Sequence, residues 1–298
     1  MKFCSEAFII YDLSYRKIEL PKDVLGNGVQ SQLLEISSIG RKTITEELSG
    51  ISGTSRIHVM DNTRSASITF YLTAMTNADA RLKTNRMYTF FRQLGVFYIA
   101  DAHEPNKLLK VSVDSEYTPS RIGNISLIKE VEIELEIVGQ PYRISRFTTL
   151  DIHEDSGIVR DGDWGRGMNL TREGEKQNYV FNNQTNISVY NPSDIDLFIK
   201  QHLDFKIKFE CLQSMSRISL LDANSKEFIF TDSLVTGDIV EIEGHRVKKN
   251  GILSAAKFND VYPTLKSGHS EVYQTYSMNN IKVSAGLKVT FDFRPKYD

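Results

Sequence analysis

Cysteine, one-sided charge and long apolar runs are all scarce in this chain. Its two cysteines, Cys4 and Cys211, lie far apart, which excludes a disulfide framework and the paired spacing of a zinc site. No stretch approaches the roughly 18 consecutive apolar residues of a membrane-crossing helix, so no membrane partner is expected. The opening Met1-Lys2-Phe3-Cys4-Ser5-Glu6 lacks the apolar centre of a secretory signal. A soluble protein made in a reducing cytoplasm is expected, and triplets such as Asn169-Leu170-Thr171 are then chance matches to a glycosylation site. The 36 basic and 38 acidic residues leave a net charge of -2, against the one-sided basic excess of most nucleic-acid binders.

Catalytic signatures are missing as well. His153-Glu154 has no second histidine at helical spacing, and His58, His103, His202, His245 and His269 have no serine or cysteine partner motif. Asp151, Asp155, Asp161 and Asp163 suggest a calcium loop, but the ligand spacing is wrong and Ser156 stands where the sharp-turn glycine belongs. A solvated loop is the expectation there. Asp161 and Asp163 also lack a scaffold that would raise one carboxyl's pKa for glycoside hydrolysis. No phosphate-cradling glycine motif occurs, so neither an enzyme nor a cofactor or metal protein is expected.

What is present is β-pattern. In Glu130-Val131-Glu132-Ile133-Glu134-Leu135-Glu136-Ile137 the apolar residues share one face of a strand and the four glutamates share the other. A helical period would scatter both sets. The glutamate row is either a solvated sheet face or a surface matched to a basic neighbour. Gly139 and Pro141 end the strand and with it a first domain, 1–143. Ala66, Ile68, Phe70 and Leu72 alternate in a second strand. A helix is expected over about 79–94, with Leu82, Met87, Phe90, Phe91 and Leu94 inward and Gly95 as its stop. Strands at Phe8–Tyr11, at 96–100 and through Leu109, Val111 and Val113 complete an α+β domain.

The stretch from Asp12 to Gly53 is weakly patterned but too apolar for a solvated tail, with Leu33, Leu34, Ile36, Ile39 and Ile44. Extended strands that pair with something outside the domain are expected here. From 144 to 190 the chain turns polar and loop-rich, implying an extension with its own hairpin but no core. Trp164, the single tryptophan, lies there, either as a local plug or as an anchor for a protein partner. Beyond Asn191-Pro192, short strands recur around 205–209, 217–221, 227–230, 238–242 and 288–293. The turn signals between them imply a β-sandwich or barrel over 191–298.

In their order, these pieces resemble the distal tail proteins of siphophages that infect Gram-positive bacteria. The strand at 66–72, the helix through Phe90-Phe91-Arg92-Gln93-Leu94 and the strand running into Pro141-Tyr142 are similar to the family's ring domain. Thr236-Gly237-Asp238, Lys249-Asn250-Gly251, the run from Tyr262 to Gly268 and the terminal Phe293-Arg294-Pro295-Lys296-Tyr297 resemble its galectin-like sandwich. Simple members pass almost directly from the Pro-Tyr junction to the sandwich. The insertion here is most similar to the baseplate distal tail proteins of lactococcal phages, whose arm grips receptor-binding proteins.

The resemblance implies a mainly β virion protein that forms a homohexameric ring between the tail-tube protein above and a tail-tip hub or tail-associated lysin below. Asp163, Trp164 and Arg166 would then lie on the gripping arm, and Leu33, Leu34, Ile36, Ile39 and Ile44 at the ring interface. The alternative is a carbohydrate-binding module that contacts host cell-wall saccharide directly, with Tyr262, Tyr273 or Tyr276 as the aromatic platform.

Overall fold

Backbone contacts in the computed structural model divide the chain into two units, Met1–Arg143 with Asp298, and Ile144–Tyr297. The residues described are 7–19, 29–47, 54–122, 125–154, 167–170, 177–202, 204–270, 272–273 and 275–298.

The first unit contains β1 (Phe8–Tyr11), β2 (Lys17–Ile18), β3 (Val29–Ile36), β4 (Arg41–Glu47), β5 (Thr54–Asp61), β6 (Ala66–Thr73), α1 (Asn77–Leu94), β7 (Phe97–Asp101), β8 (Lys107–Ser112), β9 (Ser120–Ile122) and β10 (Ile125–Ile137). Its main sheet runs β2-β1-β7-β8-β10-β6-β3, and each neighbouring pair is antiparallel. The alternation along β10 decides which face is inside. Val131 and Ile133 are fully buried, whereas Glu132, Glu134 and Glu136 are exposed. Across the ladder Val131 faces Phe70 and Ile133 faces Ile68. These side chains share a core with Met87 and Phe91 of α1. Each fully buried aliphatic or aromatic residue of this kind contributes about 1.5–3 kcal/mol by leaving water.

α1 begins where Thr76 accepts the Asp79 N–H at 3.1 Å, while the Asp79 carboxylate accepts the Met75 N–H at 3.0 Å. It ends at Gly95, whose φ of 61° suits a residue without Cβ. The inward face is Ala80, Thr84, Met87 and Phe91. Leu82, expected to point inward, is 49% exposed. It stands two residues beyond Ala80, about 200° around the helix, so hydrophobicity alone misplaced it.

The weakly patterned N-terminal stretch differs from expectation. β3 finds its partner inside the unit: Leu34 pairs with Ile68 and Ile36 with Ala66 of β6. Among the described residues β4 and β5 pair only with each other, as a separate two-stranded ribbon.

The chain continues through β11 (Arg143–Ser145), α2 (Thr149–Glu154), β12 (Val180–Asn182), β13 (Asn186–Val189), β14 (Leu197–Phe198), β15 (Lys206–Cys211), β16 (Met215–Leu221), β17 (Glu227–Leu234), β18 (Ile239–Glu243), β19 (Arg246–Lys249), β20 (Ile252–Leu253), β21 (Thr264–Leu265), β22 (His269–Ser270), β23 (Thr275–Tyr276), β24 (Asn279–Val283), β25 (Leu287–Asp292) and β26 (Lys296–Tyr297). In the second unit, one sheet runs β12-β25-β15-β18-β19-β20 and another runs β13-β24-β16-β17. Both contribute to one core. Phe209 of the first sheet stacks on Phe228 of the second at 6.0 Å and an interplanar angle of 5°. The fold is mainly β, as the sequence pattern implies.

The polar extension expected over 144–190 is not coreless throughout. Tyr179, Phe181, Ile187 and Val189 are buried in the sandwich core, as is Ile152 of α2. β12 pairs with β25, and β13 with β24. Each of these strands is only three or four residues long and is bracketed by asparagine, too brief for periodicity to distinguish from a loop.

Candidate functional site

A site that works by assembly needs strand edges and apolar side chains its own fold leaves uncovered. In the first unit these gather around β3 and the β4–β5 ribbon. The ribbon springs from a tightly bonded base: Ser37 N–H donates to the Ser65 carbonyl at 2.9 Å, Gly40 N–H to Thr63 at 2.7 Å, and Asn62 N–H to Gly40 at 2.8 Å. A Cβ on Gly40 would approach the Thr63 oxygen to 3.1 Å, which explains glycine at this crossing.

Arg64 locks that base from inside. Its guanidinium, 3% exposed, donates from Nε to the Ser37 carbonyl at 2.9 Å and from Nη1 to Pro141 at 3.1 Å, and it pairs with Asp298 at 3.2 Å. Burial lowers its pKa from the ordinary value, with Asp298 opposing the shift. A buried arginine held mainly by backbone carbonyls has no motif, and sequence reasoning did not single it out.

The five candidate interface residues separate. Leu34 is 9% exposed and belongs to the unit's own core, so it is not available to a neighbour. Ile36 packs partly buried against that core, and Ile39 is half-buried. Leu33 is 46% and Ile44 42% exposed. Met60 on β5, at 40%, joins them, although sequence reasoning did not single it out. Asp163, Trp164 and Arg166 lie outside the described residues.

Beside this edge the outer sheet face forms a cleft of about 680 Å³, lined by Glu35, Glu132, Glu134, Glu136, Ser67 and Arg64 among others. Its carboxylates come from strand alternation: Glu134 pairs with Ser67, and Ser67 with Glu35. Among the described residues no cluster of histidine, cysteine or carboxylate side chains is arranged to hold a metal ion. The arrangement presents charge, an open strand edge and isolated apolar side chains, which is the chemistry of docking.

Residues 24–137 match the family model described as the phage tail protein RIFT-related domain. Over that segment the chain is similar to phage tail proteins. Its fold is that of a distal tail protein: the Dit protein of phage SPP1 aligns with a TM-score of 0.64 at 10% identity, over 97% of this chain and 99% of that one. That structure is described as a paradigm of the hub adsorption apparatus in phages infecting Gram-positive hosts. A chain of the phage p2 baseplate, in its activated conformation with Sr, aligns over 97% of both chains at 9% identity and a TM-score of 0.39. The same baseplate with Ca gives 8% identity and the same TM-score. No curated protein matches the chain.

Proposed function

We propose that this siphophage tail protein assembles into a homohexameric ring that joins the tail tube to a tail-tip hub or tail-associated lysin protein and holds receptor-binding proteins for host attachment. The observation that carries the reading is the β4–β5 ribbon, which hydrogen-bonds to no third strand among the described residues. A two-stranded ribbon alone is marginally stable in water, so a neighbour that covers it would supply the missing burial. A closed ring requires two different surfaces on each copy, meeting head to tail. The ribbon with Leu33, Ile44 and Met60 supplies one of them, and the β3 edge lies next to it.

Light scattering and negative-stain imaging of the full chain test this. A hexameric mass with ring-shaped particles is expected, and Ile44→Asp should release folded monomers. A wild-type chain that stays monomeric at high concentration would sink the ring. For the arm, Asp163, Trp164 and Arg166 form a candidate anchor, since tryptophan and arginine dominate interface hot spots. Trp164→Ala is expected to leave the ring mass unchanged and to weaken capture of receptor-binding protein by about tenfold or more. Undiminished capture would remove Trp164 from the interface.

A further inference from the structure

Helix α1 packs against β6 and β10, and its buried side is Ala80, Thr84, Met87 and Phe91. At about 100° per residue, Arg81, Asn85, Thr89 and Arg92 fall on the opposite side, flanked by Leu82 and Arg86, and all six are exposed. Three arginines therefore face solvent from one helix. The remaining cation, Lys83, is turned back: its ammonium donates to the Thr73 carbonyl at 2.9 Å and pairs with Asp79 at 3.2 Å. Asp79 is the helix's one carboxylate, and it also accepts the Met75 N–H. Apolar surface lies among these charges, for Leu82 is 49% and Tyr88 36% exposed.

The sheet face turned away from α1 has the opposite character. Strand registers place Glu132, Thr69 and Leu33 in one row, and Glu134, Ser67 and Glu35 in the next. With Glu136, four exposed glutamates thus stand beside the exposed Leu33. Among the described residues none of these four carboxylates is paired with a cation. The spacings agree as well. Arg81 and Arg86 are about 7.5 Å apart along the helix axis, close to the roughly 7 Å between alternate strand residues such as Glu132 and Glu134.

We propose, resting on the ring reading above, that the outward face of α1 is the second ring surface and receives the glutamate-bearing sheet face of the next copy. Guanidinium groups bond carboxylates through two parallel N–H donors, and the exposed leucines of both faces leave water together. The two faces lie on opposite sides of one unit. The contact therefore runs head to tail and repeats around a ring, where a self-complementary patch would stop at a dimer. Leu33, already part of the first ring surface, lies in the same sheet face as Glu132, so the acidic rows extend that surface.

Light scattering on the full-length chain over a range of concentrations tests it, with circular dichroism to check the fold of each variant. Arg81→Glu with Arg92→Glu, and separately Glu132→Arg with Glu134→Arg, should each raise the concentration needed for assembly about tenfold or more. All four substitutions in one chain oppose unlike charges again and should recover most of that loss. Arg81→Gln with Arg92→Gln should weaken assembly in the same direction by less, so that loss in the reversed variant is not mistaken for misfolding. Rings that form equally well in both reversed variants, or no recovery in a folded combined chain, would overturn the pairing while the ring itself stands. A wild-type chain that stays monomeric removes the ring and this contact together. Binding of the wild type to a DNA duplex, lost in Arg81→Glu with Arg92→Glu at unchanged ring mass, would overturn it in favour of a polyanion on the helix face.

Discussion

At Ile133 the side chain is fully buried, opposite Ile68 and within the core that Met87 and Phe91 close from the helix side. Ile133→Asp would place a carboxylate there without a partner, at a cost of about 4 kcal/mol or more. Loss of the first unit's cooperative unfolding transition in urea is expected; an unchanged midpoint would mean that β10 faces the other way. His202 makes a different residue-scale argument. It is 3% exposed, and burial first, then the Lys296 ammonium, push its pKa down to about 4 against the pull of Asp204. The folded state therefore takes up this proton less readily than the unfolded chain. Stability is complete above the ordinary histidine pKa near 6.5 and falls as the pH drops toward about 4, by at most about 3 kcal/mol. Melting temperature measured against pH should show a steeper acid decline in the wild type than in His202→Asn, and parallel profiles would exclude the effect.

Among the elements, the hairpin between β19 and β20 and the ribbon of β4 and β5 represent opposite cases. Asn250 and Gly251, with φ values of 50° and 79°, connect paired residues Lys249 and Ile252 in the left-handed conformations a two-residue hairpin requires. Gly251→Val is expected to cost about 1–2 kcal/mol, read as a lowered denaturation midpoint. That turn was visible from three consecutive residues. The ribbon was not, because its pairing joins β4 to a strand of mixed composition across residues 48–53. Hydrogen exchange distinguishes its role: amides of β4 and β5 should exchange far faster than those of β10 in an Ile44→Asp monomer and gain protection in the ring. Equal protection in both would show that the ribbon needs no neighbour.

For the molecule as a whole, the legible features were those that repeat within one element. The alternation of β10 and β6, the cap-to-cap length of α1 and the spaced strands of the sandwich declared a mainly β chain and its ordering of pieces. Less legible was anything that depends on which strand lies beside which. β3 could be seen to be extended, but not that β6 would take one of its edges. Short strands such as β12 and β13 look like loops until β25 and β24 lie alongside them.

Local periodicity thus determined by itself the fold class, the inward face of β10 and the stops of its helix and hairpins, because those depend on backbone geometry repeated every few residues. Tertiary structure alone decided that Leu34 is core while Leu33 is surface, that Arg64 is buried among carbonyls, and that Phe198 and Tyr262 share a cleft. These are contacts between residues tens of positions apart, and no spacing along a chain encodes a distance that only folding creates.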